Sequence, residues 1–120
     1  TFKQIVQENL TLTEDEAKIF WPLYDEYMAE RNPIFDEKVS LTEEYMMNYY
    51  ALDDETAKDL IKKAMGLNQA LLDAKMKSLD KMLEQLPAPL VGKFFQIDSR
   101  VSALADLVRM SSTPLVRDKE

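Results

Sequence analysis

The chain has 120 residues, 46% of them hydrophobic, with 15 basic and 22 acidic side chains and a net charge of −7 at pH 7. This length and apolar fraction fit one globular domain, and two glycines with five prolines are too few for a turn-rich all-β chain. The excess of acids disfavours binding to nucleic acid or to an anionic membrane surface, because both require clustered lysine and arginine. We therefore expect a single all-α domain over residues 1–120.

The N-terminus begins with Thr1 rather than methionine, and Phe2, Ile5 and Val6 already have helical spacing. We interpret the chain as one from which a leader has been removed, and expect residues 1–9 to form a short N-terminal arm. The longest apolar run, Ile19 to Leu23, is far shorter than the ~20 residues that span a bilayer. The chain contains no cysteine, which fits any redox compartment.

The segment Leu12-Thr13-Glu14-Asp15-Glu16 has the pattern of a helix start. Thr13 is the expected N-cap, and Glu16 three residues later completes a capping box. A first long helix is predicted over about residues 14–50, because its large apolar side chains recur at helical spacing: Phe20, Tyr24, Tyr27, Met28, Ile34, Phe35, Tyr45, Met46 and Tyr49.

Two prolines, Pro22 and Pro33, lie inside this predicted helix. Each removes a backbone hydrogen bond and clashes with the preceding turn, so each favours a kink. Because eleven residues are about three turns, the two kinks share one face and add, which predicts a curved helix. Its concave face would carry Phe20, Tyr24, Tyr27, Arg31 and Phe35. The alternative is a break at Asn32-Pro33 that gives two helices.

A second start, Leu52-Asp53-Asp54-Glu55-Thr56, resembles the first, with Asp53 as the N-cap. It predicts a helix over about residues 53–86, joined to the first by about two residues and therefore antiparallel to it. A third, shorter helix is predicted over about residues 89–110 after a proline-rich start, and Thr113-Pro114 would end it. Three similar starts suggest an old duplication, although acidic helix starts in general have this composition.

Charge is distributed unevenly along the predicted hairpin. Residues 14–50 contain ten acids and three bases, whereas the second helix contains six lysines that nearly balance its acids. Those lysines are placed to meet the acids of the first helix, or the acids form a solvated face that keeps the protein soluble.

No catalytic or metal-binding constellation is visible. The chain has neither histidine nor cysteine, which most nucleophilic, acid–base and zinc chemistry requires. Its paired carboxylates are mostly sequence neighbours, which point about 100° apart on a helix and do not converge on one substrate. We predict that the protein is not an enzyme and uses no cofactor or metal.

Seven methionines and ten phenylalanines or tyrosines are many for a chain of this length. At helical spacing such residues usually form the core, but two long helices and a shorter one leave some of them uncovered. We therefore predict a homodimer built on the long helices, with acids of one first helix opposite lysines of the other second helix. The candidate protein-binding residues are Phe20, Tyr24, Tyr27, Phe35, Met46 and Tyr49.

The two acidic helix starts resemble the repeated Leu-Thr-x-x-Gln motif of the Spy/CpxP family of bacterial periplasmic proteins. The matching positions are Leu12, Thr13 and Glu16, and then Leu52, Asp53 and Thr56, within a resemblance that covers about residues 10–90. The family comprises curved, all-helical, cradle-shaped dimers, including an ATP-independent chaperone and an inhibitor of an envelope-stress sensor kinase. This chain departs from the motif, since Glu16 and Thr56 replace glutamine and Asp53 replaces threonine.

The resemblance implies a periplasmic protein that binds partially unfolded or envelope proteins without ATP, as part of an envelope-stress response. Its first helix is acidic, whereas the family chaperone has a basic cradle, and the histidines of the metal-sensing relatives are missing. The alternative is a structural or regulatory module that binds one defined protein partner, such as a sensor domain.

Overall fold

Four α-helices make up the fold, in a computed structural model that describes residues 1–118. They are α1 (Phe2–Asn9), α2 (Glu14–Met47), α3 (Asp54–Gln85) and α4 (Ala88–Ser111). Helices account for 83% of the described residues, with no strand among them, so the all-α prediction is confirmed. The molecule is elongated, with extents of 60 × 23 × 19 Å. Within the described part, no helix is both long and apolar enough to cross a membrane.

Side-chain caps fix the starts of the two long helices. At α2 the Glu16 amide donates to Thr13 Oγ1 over 3.1 Å, and the Thr13 amide donates to Glu16 Oε1 over 2.9 Å, which forms the predicted capping box. At α3 the Thr56 amide donates to Asp53 Oδ1 over 2.8 Å, and this hydrogen bond lowers the pKa of Asp53. The amides in the first turn of a helix have no acceptor within the helix, so these two caps set where α2 and α3 begin.

The helix α2 runs without interruption through Pro22 and Pro33. The alternative break at Asn32-Pro33 is therefore wrong. Both prolines are exposed, and so are Lys18 and Ala29, whose carbonyls lose their helical donors. Water can satisfy a carbonyl on the exposed side of a helix, which is why the chain tolerates each missing hydrogen bond there.

Helices α2 and α3 form an antiparallel hairpin, as predicted. Ion pairs join them at Glu26–Lys81, Glu30–Lys77 and Glu44–Lys63. Each step forward along α2 is matched by an equal step backward along α3, so the three pairs share one register. The pairing places these three lysines against acids of α2 in their own chain, which confirms the prediction that lysines of the second helix meet acids of the first.

Helix α4 packs along the hairpin, and α1 covers the aromatic core between α2 and α4. Val6 of α1 is fully buried, and the Phe2 ring lies 6.0 Å from the Tyr24 ring and 6.4 Å from the Phe94 ring. The predicted N-terminal arm is thus a helix that belongs to the core. A capping box between Thr1 and Gln4, which the sequence analysis missed, starts it.

Candidate protein-binding surface

A buried polar cluster fixes α4 on the hairpin. The Tyr27 hydroxyl donates to Asp98 Oδ2 over 2.6 Å, and Arg31 Nε donates to Asp98 Oδ1 over 3.2 Å. Arg31 Nη2 also donates to Ser102 Oγ over 3.4 Å. Asp98 is fully buried, and Lys75 Nζ approaches its Oδ2 to 3.9 Å. A buried carboxylate with this many donors is satisfied, so the cluster is an anchor between helices and not an open binding site.

The surroundings of Tyr27 in this cluster change its pKa. Burial raises the pKa of Tyr27, and the hydrogen bond to Asp98 raises it further because it stabilises the protonated phenol. The sequence analysis placed Arg31 on the inner face of α2 but assigned it no partner. The sequence does contain an indication of the partner, since Asp98 occupies the same helical row as Val91, Phe94 and Ser102, all of which are buried. Opposite charges at core positions of two helices indicate a buried ion pair.

Three of the predicted protein-binding residues lie in the core. Phe20, Tyr24 and Tyr27 are at most 4% exposed, because Phe2 and Phe94 cover them. These three are therefore corrected to core residues that no partner reaches in the folded chain. Phe35 is half-buried beneath Arg31, whose guanidinium carbon lies 4.1 Å from its ring centroid.

Met46 and Tyr49 lie at the tip of the hairpin, where the loop connects α2 to α3, and the structure places further apolar side chains beside them. Met46 is exposed and Tyr49 is half-buried. We define the tip surface as the exposed apolar side chains of this end and of the C-terminal tail that follows α4: Met46, Met47, Tyr50, Leu115 and Val116. Met47, Tyr50 and Leu115 are 81% to 90% exposed. Sequence spacing did not show that the tail joins this surface.

The C-terminal tail is attached to the tip by polar and cation–π contacts. The Tyr45 hydroxyl donates to the Pro114 carbonyl over 2.7 Å, and the Arg117 guanidinium carbon lies 4.8 Å from the centre of the Tyr50 ring. The Thr113 hydroxyl donates to the Arg109 carbonyl at the end of α4. These contacts hold residues 113–117 across the two helix ends.

Two adjoining cavities open between the tail and the hairpin tip. The first has a volume of about 290 Å³ and nearly all-apolar walls: Leu41, Thr42, Tyr45, Leu52, Ala57, Leu60, Ile61, Ala64 and Val116. The second, of about 470 Å³, shares Leu52, Ala57 and Val116 with the first, and its charged lining residues are Asp53, Asp54, Asp118 and Arg117. The tip therefore offers an apolar recess with an acidic rim, of a size at the lower end for ligand pockets.

Two further apolar rows lie along α3 and α4. The α3 stripe consists of exposed side chains on the side turned away from α2: Ile61, Met65, Leu72, Met76 and Leu83. The α4 stripe is a row of apolar side chains at helical spacing, of which the last two are more than 60% exposed: Leu90, Ile97, Val101, Leu104 and Val108. Leu104 and Val108 are exposed although Ser102, Asp106 and Arg109 on the other face of the same part of α4 are buried or half-buried.

Among the described residues, carboxylates do not gather into a group of three that could hold a metal ion. The family-motif positions have structural roles, since Thr13, Glu16, Asp53 and Thr56 form the helix caps and Leu12 and Leu52 are half-buried beside them. Comparison of the chain with protein-family models, curated proteins and solved structures finds no match.

Proposed function

We propose that the protein binds apolar segments of partially unfolded or envelope proteins without ATP, and that the tip surface is where it binds them. The observation that supports this proposal is the group of strongly exposed methionine, tyrosine and leucine side chains around an apolar recess. Exposed apolar groups of this kind mark interaction sites in soluble proteins. The periplasmic location and the envelope-stress role, which the family resemblance implies, belong to the same proposal.

The chemistry of the tip surface suits variable apolar partners. Met46 and Met47 are unbranched and flexible, so they adapt to side chains of different shape. The acidic edge formed by Asp53 and Asp54 favours segments in which lysine or arginine flanks the apolar residues. Binding of this type needs only burial of apolar surface and no nucleotide hydrolysis.

An aggregation assay tests the proposal. Several unrelated thermally unfolding proteins are mixed with the purified chain at near-equal ratio, with and without ATP, and light scattering is followed. We expect the chain to suppress scattering for each client, equally with and without ATP. Met47→Asp and Leu115→Asp should weaken the protection, because both place a charge among exposed apolar groups while leaving helicity unchanged.

The matched control is Val39→Asp, which introduces the same charge at an exposed apolar residue of the same helix, away from the tip. Protection that Met47→Asp and Leu115→Asp leave unchanged would remove the tip surface from the proposal. A chain that protects no client would contradict the chaperone function itself.

A second candidate function is a module for one defined partner. The hydrogen bond from Tyr45 to Pro114 gives the recess fixed walls, and a recess of fixed shape favours one side chain over many. In that case the chain would protect none of the unrelated clients, while Met47→Asp would still abolish binding to the single partner.

A further inference from the structure

The α3 stripe has the geometry of an uncovered helix–helix contact. Ile61, Leu72 and Leu83 are eleven residues apart, and so are Met65 and Met76. Since eleven residues make about three turns, all five side chains lie within a sector of about 60° and form a row roughly 33 Å long. They are 45% to 63% exposed, and Ile61 also lines the tip recess together with Leu41 and Val116. A straight apolar row of this length fits packing against another helix.

A different side of α3 packs against the rest of the chain. The residues that pack against α2 and the core are Leu60, Leu71, Ala74, Ser78 and Met82, roughly a third of a turn from the stripe. Leu79, in the same row as the stripe, is half-buried against the core and marks where α4 borders it. The stripe is therefore a second contact surface of α3, separate from the hairpin packing.

The row is symmetric about Leu72. Ile61 and Leu83 lie eleven residues on either side of it, and Met65 and Leu79 lie seven residues on either side. A two-fold axis through Leu72 would place each apolar side chain opposite another on an antiparallel second copy. Asn68, opposite Met76, is the exception in the row. An interface between identical chains must be self-complementary in this way, which an arbitrary partner does not require.

The charges beside the stripe favour the same arrangement. Lys58 and Lys62 lie along one edge in the first half of α3, and Asp80 and Glu84 lie along the same edge in the second half. All four are exposed, and none has an ion-pair partner within residues 1–118. Antiparallel pairing places Lys62 opposite Asp80 of the second copy, and Lys58 opposite Glu84 of the second copy. Parallel pairing would place like charges together, which disfavours it.

We propose that the protein is a homodimer in which α3 packs antiparallel against α3 of a second copy, about a two-fold axis at Leu72. This inference does not rest on the proposed function, because the interface is centred on Leu72 and contains no residue of the tip surface, and of the α3 stripe only Ile61 also lines the recess.

Sedimentation equilibrium tests the dimer. We expect a mass twice the 13.9 kDa of the chain at micromolar concentration. Leu72→Asp with Met76→Asp should give the single-chain mass with helicity retained, since both side chains are exposed in one copy. Gln96→Asp with Ser99→Asp adds the same two charges to exposed positions of α4 away from its stripe and should leave the dimer intact. Met47→Asp at the tip should also leave it intact.

Disulfide trapping tests the direction, because the chain has no native cysteine. Under mild oxidation, Leu72→Cys should link to itself. Ile61→Cys alone should not, but a mixture of Ile61→Cys and Leu83→Cys proteins should give the mixed dimer. Self-linking of Ile61→Cys would overturn the antiparallel arrangement. A dimer that none of these positions links would place the interface elsewhere, and a single-chain mass at high micromolar concentration would overturn the dimer itself.

Discussion

The hydroxyl of Tyr27 donates a 2.6 Å hydrogen bond to the carboxylate of Asp98, 71 residues further along the chain. It joins α2 to α4, although no described Cα atom of one helix lies within 8 Å of the other. Long side chains bridge this gap, with Tyr27 and Arg31 reaching from α2 and Phe94 filling the space beside them. The buried hydrogen bonds therefore fix the position of α4 on the hairpin.

Asp98→Ala should be among the most destabilising single substitutions. It leaves the Arg31 guanidinium, whose side chain is 10% exposed, without its buried carboxylate. Removing one partner of a buried pair costs about 3–5 kcal/mol. Urea unfolding followed by circular dichroism should show that loss, whereas Asp36→Ala at an exposed position should change the free energy of unfolding by less than about 0.5 kcal/mol. Equal effects of the two substitutions would contradict the anchoring role of Asp98.

Tyr27 should make stability fall at high pH. Burial and the bond to Asp98 raise its pKa in the folded chain. Below the unfolded value of about 10 both states hold the phenol proton, and stability does not depend on this group. As pH rises above about 10 the unfolded state releases the proton while the folded state keeps it, so the free energy of unfolding falls by up to about 1.4 kcal/mol per pH unit.

Tyr27→Phe removes this contribution and should flatten the fall. Urea titrations of both proteins between pH 8 and about 11 measure it, since lysines and Tyr24 titrate in both and cancel in the difference. Identical slopes would show that Tyr27 ionises in the folded chain as easily as in the unfolded one.

Local signals in the sequence predicted the local structure. The caps at Thr13 and Asp53 were correct because a cap depends on four consecutive residues. The antiparallel hairpin followed from a short connection between two long periodic segments. Whether α2 continues through Pro33 was left open, because the outcome depends on whether water reaches the freed carbonyl of Ala29, and that is a tertiary property.

The contacts between distant segments were not predictable from spacing. Helical periodicity placed Phe20, Tyr24 and Tyr27 on one face, but it does not show whether that face is covered. Phe94 and the N-terminal Phe2 cover it. In the same way, nothing local connects the tail residue Pro114 to Tyr45, and the tip recess exists only because the tail returns to that end.

Thr13→Ala should destabilise the protein through the start of α2. The substitution leaves the Glu16 amide without its 3.1 Å acceptor, and loss of a threonine cap typically costs about 1 kcal/mol. Thr11→Ala is a matched control, since Thr11 is exposed and lies before the helix. Thermal unfolding should separate the two by several degrees. Similar melting temperatures would mean that the first turn of α2 contributes little to the stability of the fold.

Charge reversal along α3 should weaken the dimer and then restore it. Lys62→Glu places two acids against each other, opposite Asp80 of the second copy, and Asp80→Lys places two lysines against each other. Exposed ion pairs contribute up to about 1 kcal/mol, and the two-fold axis repeats each pair. The dissociation constant should therefore rise about tenfold for either single reversal.

Lys62→Glu combined with Asp80→Lys recreates opposite charges with their sites exchanged, and should return the dissociation constant to near the original value. Lys18→Glu, an exposed reversal near the start of α2, controls for net charge. If the double reversal dissociates more than either single one, Lys62 and Asp80 do not meet, and another pairing of the α3 stripe is needed to explain the exposed row.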